Sequence, residues 1–318
     1  MRLLITGGAG YVGREFIRQF MVVDELCVID SQRYGYSRFS DDELAKITLH
    51  IEDINNTQKV KEIIENFKPE AIVHLAAVHF IPECENNPTL AYDVNITGLI
   101  SMLDSCQEGT RFVFASSAAV YAPDSEGHRE HESKIMPMDI YGFSKLHGED
   151  MVKYYTQKKN LNSTIVRLFN VVGPGETNPH LLPEIFAQFK SGLKQISLGN
   201  LEPKRDYINV SDAANGFHTF AVNTTGKLGE YDTVNLGTGN QYSVNEILQK
   251  IRDISDYEFK VYQEPARMRA SDRPFLCANV GRLNENYSFI AKKNIDDTIQ
   301  EMLGRPEMAP FLIEKYKL

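Results

Sequence analysis

Leu3-Leu4-Ile5-Thr6-Gly7-Gly8-Ala9-Gly10-Tyr11-Val12-Gly13 decides how the chain folds. An apolar run of strand type, residues 3–6, passes into a glycine cluster and then into an amphipathic pattern. The cluster satisfies G-x-G-x-x-G through Gly8, Gly10 and Gly13, and G-x-x-G-x-x-G through Gly7, Gly10 and Gly13. Between a strand and a helix, such glycines permit a tight turn and let backbone N–H groups approach a pyrophosphate at the helix N-terminus. Asp30 closes the next apolar run, residues 26–30. A carboxylate there can accept hydrogen bonds from both ribose hydroxyls and repel a 2′-phosphate. The spacing therefore predicts a dinucleotide site with NAD preferred over NADP. Arg33 is the nearby residue that pulls the other way.

Outward from this loop, short apolar runs alternate with helical patterns. The runs at 47–51, 71–77, 112–116 and 164–169, several of them rich in Val, Ile or Phe and apolar on both faces, suit strands of a covered parallel sheet. Val60, Ile63, Ile64 and Phe67 share one helical face that ends before Lys68-Pro69. The alternation predicts an α/β fold with a doubly wound parallel sheet. Beyond residue 170 turn signals multiply (Gly173-Pro174-Gly175, Asn178-Pro179), and the reading is a smaller, mixed C-terminal lobe. Helices are expected at 183–190 and 244–254, and strands at 195–198 and 234–236. The predicted division is a first domain over 1–170, joined by about 208–240, and a second lobe over 171–318.

Composition narrows the function. The 318 residues include 34 Lys+Arg and 43 Asp+Glu, a net charge of −9, so no basic excess is available for a nucleic acid. No apolar run reaches the roughly 20 residues a membrane helix needs. The immediate entry into a strand predicts no leader, hence a cytoplasmic protein. Cys27, Cys84, Cys106 and Cys277 form no paired motif, so neither disulfides nor a metal site is expected. The cluster His128-Arg129-Glu130-His131-Glu132 is read as a solvated, charged loop.

Tyr141 and Lys145 stand four residues apart, on one face of a predicted helix. A phenol with a pKa near 10 is a poor base at neutral pH. A neighbouring ammonium, and a cationic nicotinamide, would lower it. Ser117 falls where the 112–116 run ends, and ligands gather at the carboxyl ends of strands in such sheets.

Together with His74-Leu75-Ala76-Ala77, Asn95, Ser116-Ser117-Ala118-Ala119-Val120-Tyr121 and Arg167-Leu168-Phe169-Asn170, these motifs resemble the extended short-chain dehydrogenases/reductases. Within them, the chain is most similar to the nucleotide-sugar epimerases. The resemblance implies a Rossmann-type first domain and a nucleotide-sugar-binding lobe. It implies Tyr141 as catalytic base, Lys145 on the nicotinamide ribose and Ser117 on the reacting sugar hydroxyl. Gly7, Gly10, Tyr11, Val12, Gly13, Asp30, Asp53, Ile54, Leu75, Ala76, Ala77, Asn95 and Phe169 would line the cofactor. His79, Asn170, His180, Leu181, Ser197, Arg205, Arg269 and Asp272 would meet a UDP- or GDP-linked sugar. The guanidinium forks of Arg205 and Arg269 suit phosphate oxygens in any case. The resemblance also implies a homodimer built on two helices from each subunit, roughly 90–106 and 141–157.

Related dehydratases and decarboxylases carry acids after the position of Ser117, where this chain has Ala118 and Ala119. What remains is a self-regenerating NAD cycle through a 4-keto sugar, most simply a C4 epimerisation. A 4-keto-sugar reductase using NAD(P)H, and a catalytically silent NAD-binding sensor, share the same motifs. Leu276 matches a position where a tyrosine restricts sugar size, so an N-acetylated sugar is also expected to fit.

Overall fold

A computed structural model describes residues 1–33, 38–176, 178–223, 226–255, 257–268, 273–305 and 310–316. The strands, in chain order, are β1 (Arg2–Thr6), β2 (Glu25–Asp30), β3 (Ile47–Ile51), β4 (Ala71–His74), β5 (Arg111–Ser117), β6 (Asn162–Leu168), β7 (Asn170–Val172), β8 (Gln195–Leu198), β9 (Lys204–Asn209), β10 (Tyr231–Leu236), β11 (Gln241–Ser243), β12 (Lys260–Gln263) and β13 (Phe275–Leu276). Among the described residues, seven of these form one parallel sheet in the order β10-β6-β5-β4-β1-β2-β3. The chain reverses its direction of travel across the sheet between β1 and β4, which is where ligands lodge in doubly wound folds.

Alternation along the strands explains why the sheet is covered on both faces. Leu3, Ile5, Leu26, Val28, Val113 and Val166 point to one side, where Phe16 and Ile17 of helix Tyr11–Phe20 and Phe217 and Phe220 of helix Val210–Val222 pack on them. Leu4, Cys27, Ile29, Phe112, Phe114 and Ile165 point to the other. There they meet Val60 and Ile64 of helix Thr57–Phe67, Met102 and Leu103 of helix Leu99–Ser105, and Val152 of helix Ile140–Lys159. Each fully buried side chain of this size contributes about 1.5–3 kcal/mol. All four cysteines are buried and unpaired.

The second lobe has its own apolar cluster, which includes Leu182, Ile185, Phe189, Ile196, Leu198, Ile247, Leu248 and Ile299. Strand β9 is its centre, paired with β7 and β13 in parallel and with β11 antiparallel, while β8 and β12 form a separate parallel pair. Strand β10 and the helix before it lie with the first sheet.

Two expectations need correction. His128 and Glu130 are not solvated; they are 0% and 8% exposed, while Arg129, His131 and Glu132 of that stretch are open to water. The reason is backbone pairing: His128 bridges Ala278 and donates its N–H to the Cys277 carbonyl, which turns its side chain inward. The helix expected near 90–106 is broken into Pro88–Tyr92, a π-helical turn Asp93–Gly98, and Leu99–Ser105.

A buried ion pair fixes the long helix against the sheet. Glu149 (0% exposed) accepts from Arg167 Nε at 2.9 Å, from Arg167 Nη2 at 2.8 Å and from Ser116 Oγ at 2.6 Å. Arg167 Nη1 also donates to Tyr121 Oη and the Glu130 carbonyl, both at 3.0 Å. Removing one partner leaves an uncompensated buried charge, which costs about 3–5 kcal/mol. Arg167→Leu is therefore expected to lose about that much stability in urea unfolding, and the Arg167→Leu/Glu149→Leu double variant to recover a large part of it.

Candidate active site

The first strand hands the chain to the glycine loop because no other residue fits there. Gly7 has φ +71, and a Cβ on it would lie 2.7 Å from the Ala76 nitrogen; one on Gly13 would lie 2.4 Å from the Gly7 carbonyl. The loop thus presses flat between β1, β4 and helix Tyr11–Phe20, with the helix N-terminus open toward a large cavity. Asp30 faces the loop from the end of β2, accepting from Ala9 N–H at 2.9 Å and Gln32 N–H at 2.8 Å. Arg33 forms an ion pair with Glu83 at 2.5 Å. Arg38, which the sequence did not single out, donates to the carbonyls of Ala9 (3.3 Å) and Gly175 (2.8 Å) and also lines the cavity.

The cavity is about 1250 Å³ and runs from the glycine loop into the second lobe. That exceeds the roughly 300–1,000 Å³ typical of one small-ligand site, so there is room for two. Two observations fit a dinucleotide at the loop end: the side-chain-free cradle of Gly7 and Gly13, and the hydroxyl of Tyr11. That hydroxyl is buried with no partner among the described residues and belongs to a cavity-lining residue.

Ser117, Tyr141 and Lys145 converge on the same cavity. Strand β5 delivers Ser117 at its carboxyl end, where the hydroxyl accepts from Ala119 N–H at 3.1 Å. Helix Ile140–Lys159 delivers the other two, and Asp139 caps its start by accepting from Gly142 N–H at 2.7 Å. Lys145 is 3% exposed, with Nζ donating to the Ala115 carbonyl at 2.8 Å and standing 5.9 Å from the Tyr141 ring centre. Burial pulls its pKa down to about 8. For Tyr141 the direction expected from the spacing is reversed. Desolvation pushes the phenol up to about 12, and the hydrogen bond from Ser117 offsets only part of that. The physical reason is that both groups lose water together, and a buried ammonium is itself driven toward neutrality.

Most residues expected in the site line this cavity: Gly7, Gly10, Tyr11, Val12, Gly13, Asp30, Asp53, Ile54, Leu75, Ala76, Ala77, His79, Phe169, Asn170, His180, Leu181 and Arg205. Asn95 stands behind its wall rather than on it. The π-helical turn points its amide at Val78, whose N–H and carbonyl it bonds at 2.8 and 2.9 Å, and at Ser144 Oγ at 2.9 Å. Asn95 therefore braces the wall. Ser197 is likewise off the wall; Gln188 holds both its backbone groups, and Leu198, Gly199 and Asn200 line the cavity in its place. Arg269 and Asp272 lie outside the described residues.

The sequence reading missed Arg267 and Arg273. Arg267 lines the second-lobe wall and pairs with Glu184 and Glu264, both at 2.6 Å. Arg273 donates to the Ala119 carbonyl at 3.0 Å, and its own carbonyl accepts from Arg205 Nη1 at 2.6 Å. Neither sits in a recognisable motif; β13 beside β9 brings Arg273 to the site, and only pairing between distant segments could have revealed it.

A doubly wound sheet with a glycine-loop dinucleotide cradle and a Ser-Tyr-Lys set at the strand ends defines a nicotinamide-dependent enzyme of the short-chain type. The profile of the NAD dependent epimerase/dehydratase family matches residues 3–237, and the chain belongs to that family. It is 30% identical to GDP-6-deoxy-D-talose 4-dehydrogenase of Aggregatibacter actinomycetemcomitans over 287 residues, covering 89% of this chain and 90% of that one. It is 28% identical to UDP-glucose 4-epimerase of Lactobacillus helveticus over 319 residues, covering 94% and 95%. Its fold is shared with the Thermus thermophilus UDP-glucose 4-epimerase complexed with NAD, at a TM-score of 0.81 and 24% identity, covering 96% of this chain and 98% of that one.

The Asp30 carboxylate should govern the choice of dinucleotide. Asp30→Asn is expected to reduce the preference for NADH over NADPH by about tenfold or more, read as the ratio of dissociation constants in fluorescence titrations.

Proposed function

We infer that the protein is an NAD-dependent epimerase of a nucleotide-diphosphate sugar, acting at C4 through a transient 4-keto sugar. The observation that carries this reading is the meeting of Ser117, Tyr141 and Lys145 with the glycine loop in one cavity, with no carboxylate on the turn after Ser117. That turn holds buried Ala118 and Ala119. The carboxylates nearest the start of the catalytic helix are already engaged, Asp139 by Gly142 N–H and Glu85 by Ile140 N–H at 2.8 Å. No acid is placed on that turn for a second proton transfer, as elimination would require.

Residue roles follow from position. Tyr141 takes the proton from the sugar O4 and gives it back. Ser117 bonds that same oxygen and the phenol, fixing the line of transfer. Lys145 holds the ribose next to the reacting carbon and, while charged, favours the phenolate. Arg205 and Arg273 supply donors for the diphosphate, with Arg269 a further candidate. Asn170, Leu181 and His180 line the sugar-nucleotide path, and His79, exposed to the cavity and 2.9 Å from Asn178 Nδ2, faces it. NAD, which the glycine loop and Asp30 would hold, would supply reversible hydride exchange at C4 with no net consumption of reductant.

In this reading residues 1–170, with about 208–240, are the NAD-binding domain and the remainder of 171–318 binds the nucleotide sugar. Leu276, on the cavity wall and 6% exposed, leaves space that extends the substrate range to N-acetylated sugars. A homodimer through the helices near 90–106 and 141–157, and a cytoplasmic location, complete the proposal. Among the described residues no helix is long and apolar enough to cross a membrane.

The test is incubation of the purified protein with UDP-glucose, UDP-N-acetylglucosamine or GDP-mannose without reductant, followed by proton NMR. A C4 epimer appearing in any tube is the expected result. Turnover of a 4-keto sugar only with stoichiometric NADH or NADPH would replace epimerase by reductase, and NAD binding with no turnover of either kind would leave a sensor. Tyr141→Phe should keep NADH affinity but lose about 10²–10⁴ in kcat. Because the charge on Lys145 is present below about pH 8 and lost above it, kcat/KM should fall as pH rises through about 8. A profile still climbing at higher pH would assign no role to that charge.

A further inference from the structure

The second-lobe wall of the cavity holds a carboxylate that the chemistry above leaves unused. Glu184 sits in the first turn of helix Leu181–Lys190, 6% exposed, and lines the cavity with Leu181, Leu198, Gly199 and Arg267. Its Oε1 accepts three hydrogen bonds, from Arg267 Nη1, Lys315 Nζ and Tyr316 Oη, each at 2.6 Å. Its Oε2 is buried and accepts none among the described residues. Burial opposes the charge, yet the bonds from Lys315, Tyr316 and Arg267 hold the carboxyl below its usual range. The group is therefore an ionised, acceptor-only side chain at neutral pH, with one oxygen lacking a donor. A buried acceptor in that condition is costly, so a ligand that brings an N–H to it gains by doing so.

The surroundings suit a flat ring. Leu181 and Leu198 supply apolar wall, and the backbones of Gly199 and Arg267 touch so closely that a Cβ at 199 would lie 2.4 Å from the Arg267 carbonyl. Glu184 lines the same wall, and Lys315 and Tyr316 of the C-terminal helix Pro310–Tyr316 hold its Oε1.

We propose that Glu184 Oε2 reads the nucleobase of the substrate, and that this base is guanine. The inference rests on the nucleotide-sugar reading above and commits it to one base. A carboxylate is met best by two donors side by side, so that a neighbouring acceptor on the base does not face it alone with a single donor. Guanine offers two adjacent donors, the ring N1–H and the exocyclic N2 amine. Uracil presents a single N3–H between two carbonyl oxygens, which the carboxylate repels. In adenine and cytosine the amine stands beside an acceptor nitrogen, with the same result. A charge-assisted contact of this kind discriminates strongly because the wrong base leaves the buried carboxylate unpaired.

The experiment is calorimetric titration of the NAD-loaded full-length protein with GDP, UDP and inosine diphosphate. Inosine diphosphate is GDP without the N2 amine, so it probes the contact without altering the protein. GDP is expected to bind at least about tenfold tighter than either of the others. Glu184→Gln, whose amide can turn a donor toward the base, should remove most of that preference while leaving UDP affinity within about twofold. Lys315→Met, which loosens the same carboxylate from behind but keeps Oε2, should retain the preference; this separates base reading from simple loosening of the helix. UDP binding as tightly as GDP, or inosine diphosphate equalling GDP, would overturn the assignment and leave the nucleotide-sugar reading standing. Failure of all three diphosphates to bind would overturn both.

Discussion

The geometry of the reacting groups depends on the Glu149–Arg167 pair. Tyr141 and Lys145 ride on a helix, Ser117 on a strand, and nothing in either element alone sets the distance between them. Glu149 lies one turn beyond Lys145 on the same helix and reaches both β6, through Arg167, and the residue next to Ser117, through Ser116 Oγ. Three elements are thereby held at one point, directly behind the cavity. Arg167 carries the constraint further, to Tyr121 and the Glu130 carbonyl, and Tyr121 passes it to Asn235 on β10 at 2.8 Å. Replacing such a pair with apolar residues need not cost stability. Its value lies in register: a packed apolar contact can slide by fractions of an ångström, whereas a bidentate fork cannot without breaking bonds.

Behind that rigid frame the chemistry is poised by desolvation. Burial moves Tyr141 up to about 12 and Lys145 down to about 8, both toward their neutral forms. Charge on either group must therefore be supported by fixed neighbours, and the protein provides two. Ser117 bonds the phenol, and the Ala115 carbonyl accepts from the ammonium at 2.8 Å. Both lie on β5, so one strand end serves the whole proton-transfer set.

The sheet was legible because most of its strands are buried on both faces and read as apolar runs: 26–30 and 112–116 appear in the sequence much as they appear in space, and the run 71–77 begins with β4 but extends three residues past it. The glycine loop was legible because sterics leave Gly7 and Gly13 no alternative. The second lobe resisted for the opposite reason. Strand β9 reads Lys-Arg-Asp-Tyr-Ile-Asn, which looks solvated, yet Asp206 is 0% exposed. Its carboxylate collects N–H groups from Thr238, Gly239 and Ala278 and the Thr238 hydroxyl, partners more than thirty residues away. Asn95 was found as a residue but not in its role, since no helical periodicity announces a π-turn. Within the His128–Glu132 stretch, charge suggested exposure while a single bridge to Ala278 turned His128 inward.

Strand β9 also explains how a substrate that spans both lobes can be held in register. Successive side chains leave it in opposite directions. Arg205 and Tyr207 line the cavity, Tyr207 also belongs to the second-lobe core, and Ile208 belongs to the core beneath the first sheet. Asp206 ties down the loop that follows β10, and Asn209 caps helix Val210–Val222 through Ser211 while donating to Thr298 and Glu301. One six-residue strand thus belongs to both apolar clusters and to the wall between them. In the function proposed above, a diphosphate held by Arg205 would thus be fixed relative to the sheet that carries Ser117, and the distance from nucleobase to reacting carbon would be a property of the backbone rather than of a hinge.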